Sequence, residues 1–293
     1  MSVPESVSIL HISDLHFGKP YLISVGESLQ EIAWKLQPDI IVVSGDLTQR
    51  ARVSEFESAR AYLDSLPDVP RLVVPGNHDV PLYRFGERIK QPLANYQRYI
   101  SEDLNPTLRS SGVTICGLDS TAPHSAISNG RIHRWQLDHC RHVFKAAPED
   151  DVRIVVAHHH FAAAPDSLRD RSMPRSRQAI ECFDDMRVEL ILGGHLHRAF
   201  IGNSLDFYPG SDRRRGIIIV HSGTSTSRRG RGREREKNSF NMVRVFETRF
   251  EIDHYMYFDA THGFRILSQH QFPRPERCLS LEWTQEVSRA SSA

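Results

Sequence analysis

The chain has 293 residues, 39% hydrophobic and 25% charged, with a net charge of +1. This is the balance of a water-soluble globular protein with a sizeable core, and near-neutral charge gives no general case for nucleic-acid or membrane affinity. No basic-plus-apolar leader opens the sequence and no run approaches the roughly 18 apolar residues of a membrane span. Cys116, Cys140, Cys182 and Cys278 form no CxxC pair, so reduced thiols, a cytoplasmic location and no membrane partner are expected.

In chain order, short β-branched runs alternate with helical patterns. Residues 7–12 predict a strand, 28–36 a helix, 40–44 a second strand and 54–66 a second helix. In the first helix Leu29, Ile32, Ala33 and Leu36 recur at three- and four-residue spacing. Strands are then predicted at 72–74, 113–118, 154–157 and 190–192, and helices at 86–100, 135–144 and 177–186. The alternation predicts an α/β fold. Segments 217–220, 242–247 and 250–258 look like strands joined by tight turns, which predicts an antiparallel finish. No internal repeat is present. One domain over 1–272 is expected, with a C-terminal tail at 273–293 that carries no pattern. Residues 211–237, rich in Arg, Gly and Ser, predict a mobile loop.

The strand ends are unusual. After 7–12 come Asp14 and His16, after 40–44 comes Asp46, and after 72–74 come Asn77, His78 and Asp79. The run 154–157 leads into His158, His159 and His160, and 190–192 into His195 and His197. In open α/β sheets, groups beyond the carboxyl ends of strands converge on one rim. If extended there, the pairs Asp14/His16 and His195/His197 each face one side. A lone aspartate after a strand is usually a turn residue, and His11, His124, His133, His139, His142, His221, His254, His262 and His270 are left as core or surface side chains. Five strand-end clusters in one chain do not fit that explanation. Carboxylates, an amide oxygen and imidazoles suit divalent metals such as Mn, Fe or Zn, and seven donors exceed one tetrahedral site. Two adjacent metals sharing a carboxylate would use them all.

The ordered series D-x-H, GD, GNHD, H and GHxH resembles the calcineurin-like metallophosphoesterase superfamily over residues 9–197, and "SDLHFG", "SGDLTQ", "PGNHD", "HHHF" and "GGHLHR" look most like its bacterial cyclic-nucleotide phosphodiesterase-like branch. The resemblance implies a four-layer fold of two packed mixed β-sheets flanked by helices. It implies one metal on Asp14, His16, Asp46 and His197, and a second on Asp46, Asn77, His158 and His195, with Asp46 bridging. A hydroxide held between the metals would attack the phosphorus of a phosphodiester such as a 3′,5′-cyclic nucleotide. His78 would act as general acid or bind phosphoryl oxygens. His158 is the ligand because the family's ligand is usually the first histidine after this strand. His160, facing the same way in an extended chain, lines the pocket as a substrate contact or competes for that role. His159 supports the site or is structural, and Arg50 is a further substrate contact. Asp79 is left between orienting a neighbour and serving the turn before Pro81. The serine/threonine phosphatases of the superfamily carry an aspartate where this chain has Gln49, and a glutamate where it has Asp79, so that branch is disfavoured.

Eight arginines lie between Arg213 and Arg235, and Arg169, Arg171, Arg175 and Arg177 follow the histidine triplet. They are a solvated loop or an anion-binding edge. Residues 81–112 are the expected rim insertion, with Tyr83, Arg84, Tyr96 and Tyr99 as substrate contacts or plain helix surface. A small phosphodiester or nucleotide is the expected partner. A nuclease, a nucleotide-sugar-lipid pyrophosphatase and a non-catalytic scaffold are the rival functions. The oligomeric state is left open, a homodimer among the options.

Overall fold

The computed structural model describes residues 6–124, 130–162, 171–209, 216–259 and 263–274. Arg169 and Arg213–Arg215 therefore lie outside the described residues, as do His262 and the tail beyond Arg274.

Two six-stranded sheets face each other. The first has the order β12 (Gly263–Pro273), β11 (Arg249–Phe258), β10 (Ser239–Val245), β1 (Val7–Ile12), β2 (Ile40–Val43), β3 (Arg71–Val73). The second has the order β4 (Thr107–Ser110), β5 (Val113–Leu118), β6 (Val152–Ala157), β7 (Val188–Gly193), β9 (Ile218–His221), β8 (Phe200–Asn203). Within each, the central strands run parallel: β1–β2–β3 in one, β5–β6–β7–β9 in the other. Parallel strands are covered on both faces, which is why their sequences are continuous apolar runs such as the fully buried Ile40–Val43.

Alternate side chains go to alternate layers. Val7 and Ile9 of β1 join Val42, Ile154, Leu190 and Val220 in an aliphatic layer between the sheets. Leu10 and Ile12 turn outward to a layer with Leu29 and Ala33 of α1 (Ile23–Leu36) and Phe56 and Leu63 of α2 (Val53–Ser65). On the opposite outer face, Phe144 of α5 (Arg134–Ala146) and Ile180 and Phe183 of α6 (Ser176–Asp185) pack on Val155 and Ile191. The four layers are helix, sheet, sheet, helix.

Three expectations are corrected. The helix expected at 86–100 is two short ones, α3 (Phe85–Lys90) and α4 (Ala94–Tyr99), because Pro92 has no N–H to donate and disfavours helical backbone at Gln91. The strand after residue 217 is not part of the antiparallel finish: β9 lies parallel to β7, and the antiparallel set is β10–β11–β12. Residues 222–227, expected from composition to be mobile, are buried, because Thr224 and Thr226 donate to the carbonyls of Asp14 and Leu15 and Ser225 N–H donates to Ser13 O. Within 81–112, Tyr96 is core, its hydroxyl donating to Val73 O, and Tyr99 stacks on Phe56. Among the described residues, no helix is long and apolar enough to cross a membrane.

Candidate metal centre

The carboxyl ends of β1, β2, β6 and β7 and the turn after β3 open at one rim, where the aliphatic layer gives way to polar side chains. His11, Asn241 and His254 lie side by side across β1, β10 and β11, all buried, with His254 Nδ1 bonded to Asn241 Oδ1 at 3.0 Å. Above them the loops zip together: Asp14 N–H donates to Gly45 O, and His16 N–H to Asp46 O, each at 3.0 Å.

Asp14, His16, Asp46, His195 and His197 all have positive φ, at 54°, 51°, 53°, 71° and 54°. The expectation that the two-apart pairs converge through extended backbone is therefore wrong. Both pairs sit past the strand ends in left-handed turns, a conformation that costs about 1–2 kcal/mol per non-glycine residue and that Asp and His tolerate better than most. Gly76 and Gly194 make room: a Cβ at the first would overlap Asp46, and one at the second Ser13 and Asp14.

Two groups form. In the first, Asp14 Oδ1 lies 3.1 Å from His197 Nε2 and 3.6 Å from His16 Nε2, and Asp46 Oδ2 lies 3.7 Å from His16 Nε2. In the second, Asn77 Oδ1 lies 3.1 Å from His158 Nε2 and 2.9 Å from His195 Nδ1. Asp46 Oδ2 joins them, at 3.4 Å from His158 Nε2. The other carboxylate oxygens are engaged: Asp46 Oδ1 accepts from His78 N–H, and Asp14 Oδ2 from Ser13 Oγ–H and His195 N–H. The inward Asp14 Oδ1 and Asp46 Oδ2 are buried without a hydrogen-bond partner. Two bare anionic oxygens facing three ring nitrogens, the Nε2 atoms of His16, His158 and His197, fit cations, since burying unsatisfied charge is otherwise costly.

Carbonyls set the ring orientations. His158 Nδ1–H donates to Ser44 O at 2.8 Å, and His197 Nδ1–H to Arg229 O at 3.0 Å. A carbonyl only accepts, so both Nε2 atoms keep a lone pair for the centre once His158 is neutral. His78 Nδ1–H donates to Gln49 O at 2.9 Å, and its ring lies edge-on to His16 at 4.9 Å. His160 stacks on His195 at 5.5 Å, while Arg50 lies over the Tyr83 ring at 5.0 Å, at the rim.

Burial alone would raise the Asp14 and Asp46 carboxyls. The imidazoles of His197 and His16 hold the first well below the carboxylate range, and those of His158 and His78 hold the second there. Burial would lower His158, but Asp46 and Asp14 push it up to about 9. Burial brings His11 and His221 down to about 3. Both are neutral when folded but bind protons below about 6.5 when unfolded, so stability falls as pH drops from there toward 3. Between pH 6 and 4.5, each adds about 1.4 kcal/mol per pH unit to the slope for metal-free protein. His11→Gln should flatten that slope by one proton in urea titrations; an unchanged slope rejects this.

Four further participants emerge, of which the sequence names His159 and Asp79 without fixing their roles and gives Gln49 and Ser44 none. His159 forms a close nitrogen group with His158 and His195, with Nδ1 bonded to Ser120 Oγ at 2.8 Å and Nε2 without a partner. Gln49 and Ser44 act through backbone carbonyls, which carry no sequence signal. Asp79 proves to be the pin of the site. Its carboxylate accepts Gly76, Leu47 and Thr48 N–H and Thr48 Oγ1–H, which oppose the upward pull of burial and Asp46 to about 7.

A family model described as calcineurin-like phosphoesterase matches residues 7–199. The chain is 27% identical over 169 residues to a probable cyclic nucleotide phosphodiesterase of Synechococcus sp., covering 56% of this chain and 60% of that protein. It is 25% identical over 236 residues to one component of the SbcCD nuclease of Staphylococcus epidermidis, covering 70% of this chain and 61% of that one. The match thus spans about three fifths of the length of each of these relatives. In fold it resembles a purple acid phosphatase from yellow lupin, with a TM-score of 0.66 at 13% identity over 93% of this chain and 54% of that one.

Proposed function

The chain belongs to the calcineurin-like phosphoesterase family, and from that premise we propose that it is a dinuclear-metal phosphodiesterase acting on small diesters of the 3′,5′-cyclic-nucleotide class. Asp14, His16, Asp46 and His197 hold one cation, Asp46, Asn77, His158 and His195 the other. The observation that carries this reading is the pair of partnerless buried oxygens, Asp14 Oδ1 and Asp46 Oδ2, turned toward ring nitrogens. The mixed oxygen and nitrogen donors suit Mn, Fe or Zn. Bound there, the cations supply an activated water and neutralise charge developing at phosphorus.

The chain's own part is orientation. Ser44 and Arg229 carbonyls aim the two histidines, and Asp79 keeps the loop bearing Asp46 against the turn bearing Asn77 and His78. His78, outside the ligand set and fixed through Nδ1, presents Nε2 to the leaving oxygen or a phosphoryl oxygen.

Metal-stripped protein should not cleave bis(p-nitrophenyl) phosphate, and adding Mn should restore turnover, with cyclic nucleotides hydrolysed in preference to phosphomonoesters. Equal activity in excess chelator overturns the reading. A second reading, a nuclease, is favoured by the exposed Arg228, Arg231 and Arg235 of the loop after β9, whose backbone at Arg231 bonds His197 O, and by the SbcCD relative. It requires binding to oligonucleotides that falls steeply with salt, whereas hydrolysis of a small diester changes little.

A further inference from the structure

Of the arginines in the loop after β9, Arg229 differs from its neighbours Arg228 and Arg231. Those two are exposed, whereas Arg229 is half-buried, with its guanidinium on Gln49, the residue whose carbonyl holds the His78 ring. Its Nη1–H donates to Gln49 Oε1 at 3.0 Å, and among the described residues no carboxylate pairs with it. A guanidinium partly withdrawn from water, with a neutral amide as its partner, leaves most of its five donors uncommitted.

Its place is fixed from two directions. The backbone on either side is tied to His197: Arg229 O accepts from His197 Nδ1–H, and Arg231 N–H donates to His197 O at 3.0 Å. Gln49 then holds two groups at once, the His78 ring through its backbone carbonyl and Arg229 through its side-chain oxygen. The imidazole and the guanidinium are thereby set beside each other at the mouth of the centre. Burial pulls the Arg229 guanidinium below its ordinary pKa, and the Asp46 and Asp14 carboxylates oppose that pull.

Resting on the phosphodiesterase reading above, we propose that Arg229 is a substrate-binding residue whose guanidinium takes a non-bridging phosphoryl oxygen, and that Gln49 is the residue that positions it together with His78. The chemistry follows from the diester. Its two non-bridging oxygens share one negative charge, which grows as the nucleophile adds, and a planar fork of N–H donors complements them better than a point charge. A carboxylate in place of the Gln49 amide would pair with Arg229 and withdraw it, whereas the amide holds the guanidinium without neutralising it.

The test uses full-length protein loaded with Mn, comparing Arg229→Met, Arg229→Lys and Gln49→Glu with wild type. Metal content, kinetics on bis(p-nitrophenyl) phosphate and calorimetric affinity for inorganic phosphate are measured. Arg229→Met should keep two metals, lose about ten- to a hundredfold in kcat/KM and weaken phosphate binding by about tenfold. Arg229→Lys should recover part of both losses. Gln49→Glu should raise KM and weaken phosphate binding more than it lowers kcat. If Arg229→Met matches wild type in both phosphate affinity and kcat/KM while wild type cleaves the diester, the assignment of Arg229 falls and the phosphodiesterase reading stands. If Arg229→Met loses metal, the side chain supports the centre and does not bind substrate, which also overturns the proposal. If metal-loaded wild type cleaves no diester, the phosphodiesterase reading fails and takes this one with it.

Discussion

Asp46→Asn should reduce the metal content from two ions per chain to one or none and lower kcat/KM on a phosphodiester by about a thousandfold or more. Asp46 Oδ2 faces both groups, at 3.7 Å from His16 Nε2 and 3.4 Å from His158 Nε2. An amide keeps the shape and can still accept from His78 N–H through Oδ1, so the fold should survive. The negative charge that both cations would share disappears. Losing several kcal/mol of charge stabilisation in the transition state corresponds to about three decades in rate. Elemental analysis and steady-state kinetics on protein of unchanged circular dichroism check this. A variant with two metals and activity within tenfold of wild type would remove Asp46 from the centre.

Asp79→Ala should damage stability and activity together, although Asp79 lies outside the proposed ligand set. The side chain is 1% exposed and accepts four hydrogen bonds, from Gly76, Leu47 and Thr48 N–H and from Thr48 Oγ1–H, at 2.9–3.2 Å. Alanine strands the three N–H donors in a buried place, while the Thr48 hydroxyl can turn to His78 O. At about 1–3 kcal/mol for each buried group left unpaired, offset by any water that enters, the loss should be about 3 kcal/mol or more. For a chain of this size that is a fall in melting temperature of about 6–10 °C. Activity should fall further, because the loop carrying Asp46 and the turn carrying Asn77 and His78 lose their common anchor. Asp79→Asn, which keeps one acceptor oxygen, should fall between. Melting curves coincident with wild type would show that the two loops are held by something else.

The loss of the interior helical turn at Pro92 was legible in principle, since proline's missing N–H is a local property. The parallel placement of β9 was not, because a short apolar run looks the same whichever way its neighbour points. β12 was missed for a related reason. Lying at the sheet edge, it is largely exposed, so the apolar signal that marks a buried strand is absent.

Which residues could carry the chemistry was written in the order of the amino acids. Asp14, His16, Asp46, Asn77, His158, His195 and His197 each lie just past an apolar run, and chain order alone marks a strand end. Side-chain type also set the kind of ligand, because carboxylate, amide and imidazole donors suit a divalent cation whatever the fold. How those donors meet was a matter of folding. Left-handed turns at five of them, zipped together by hydrogen bonds between loops distant in sequence, do what extended strands would not. Folding also fixed which nitrogen of His158 and His197 faces inward, and which member of an arginine-rich loop is held on Gln49. These outcomes depend on backbone carbonyls and on long-range packing, and every residue has the same carbonyl, so no pattern in the sequence announces them.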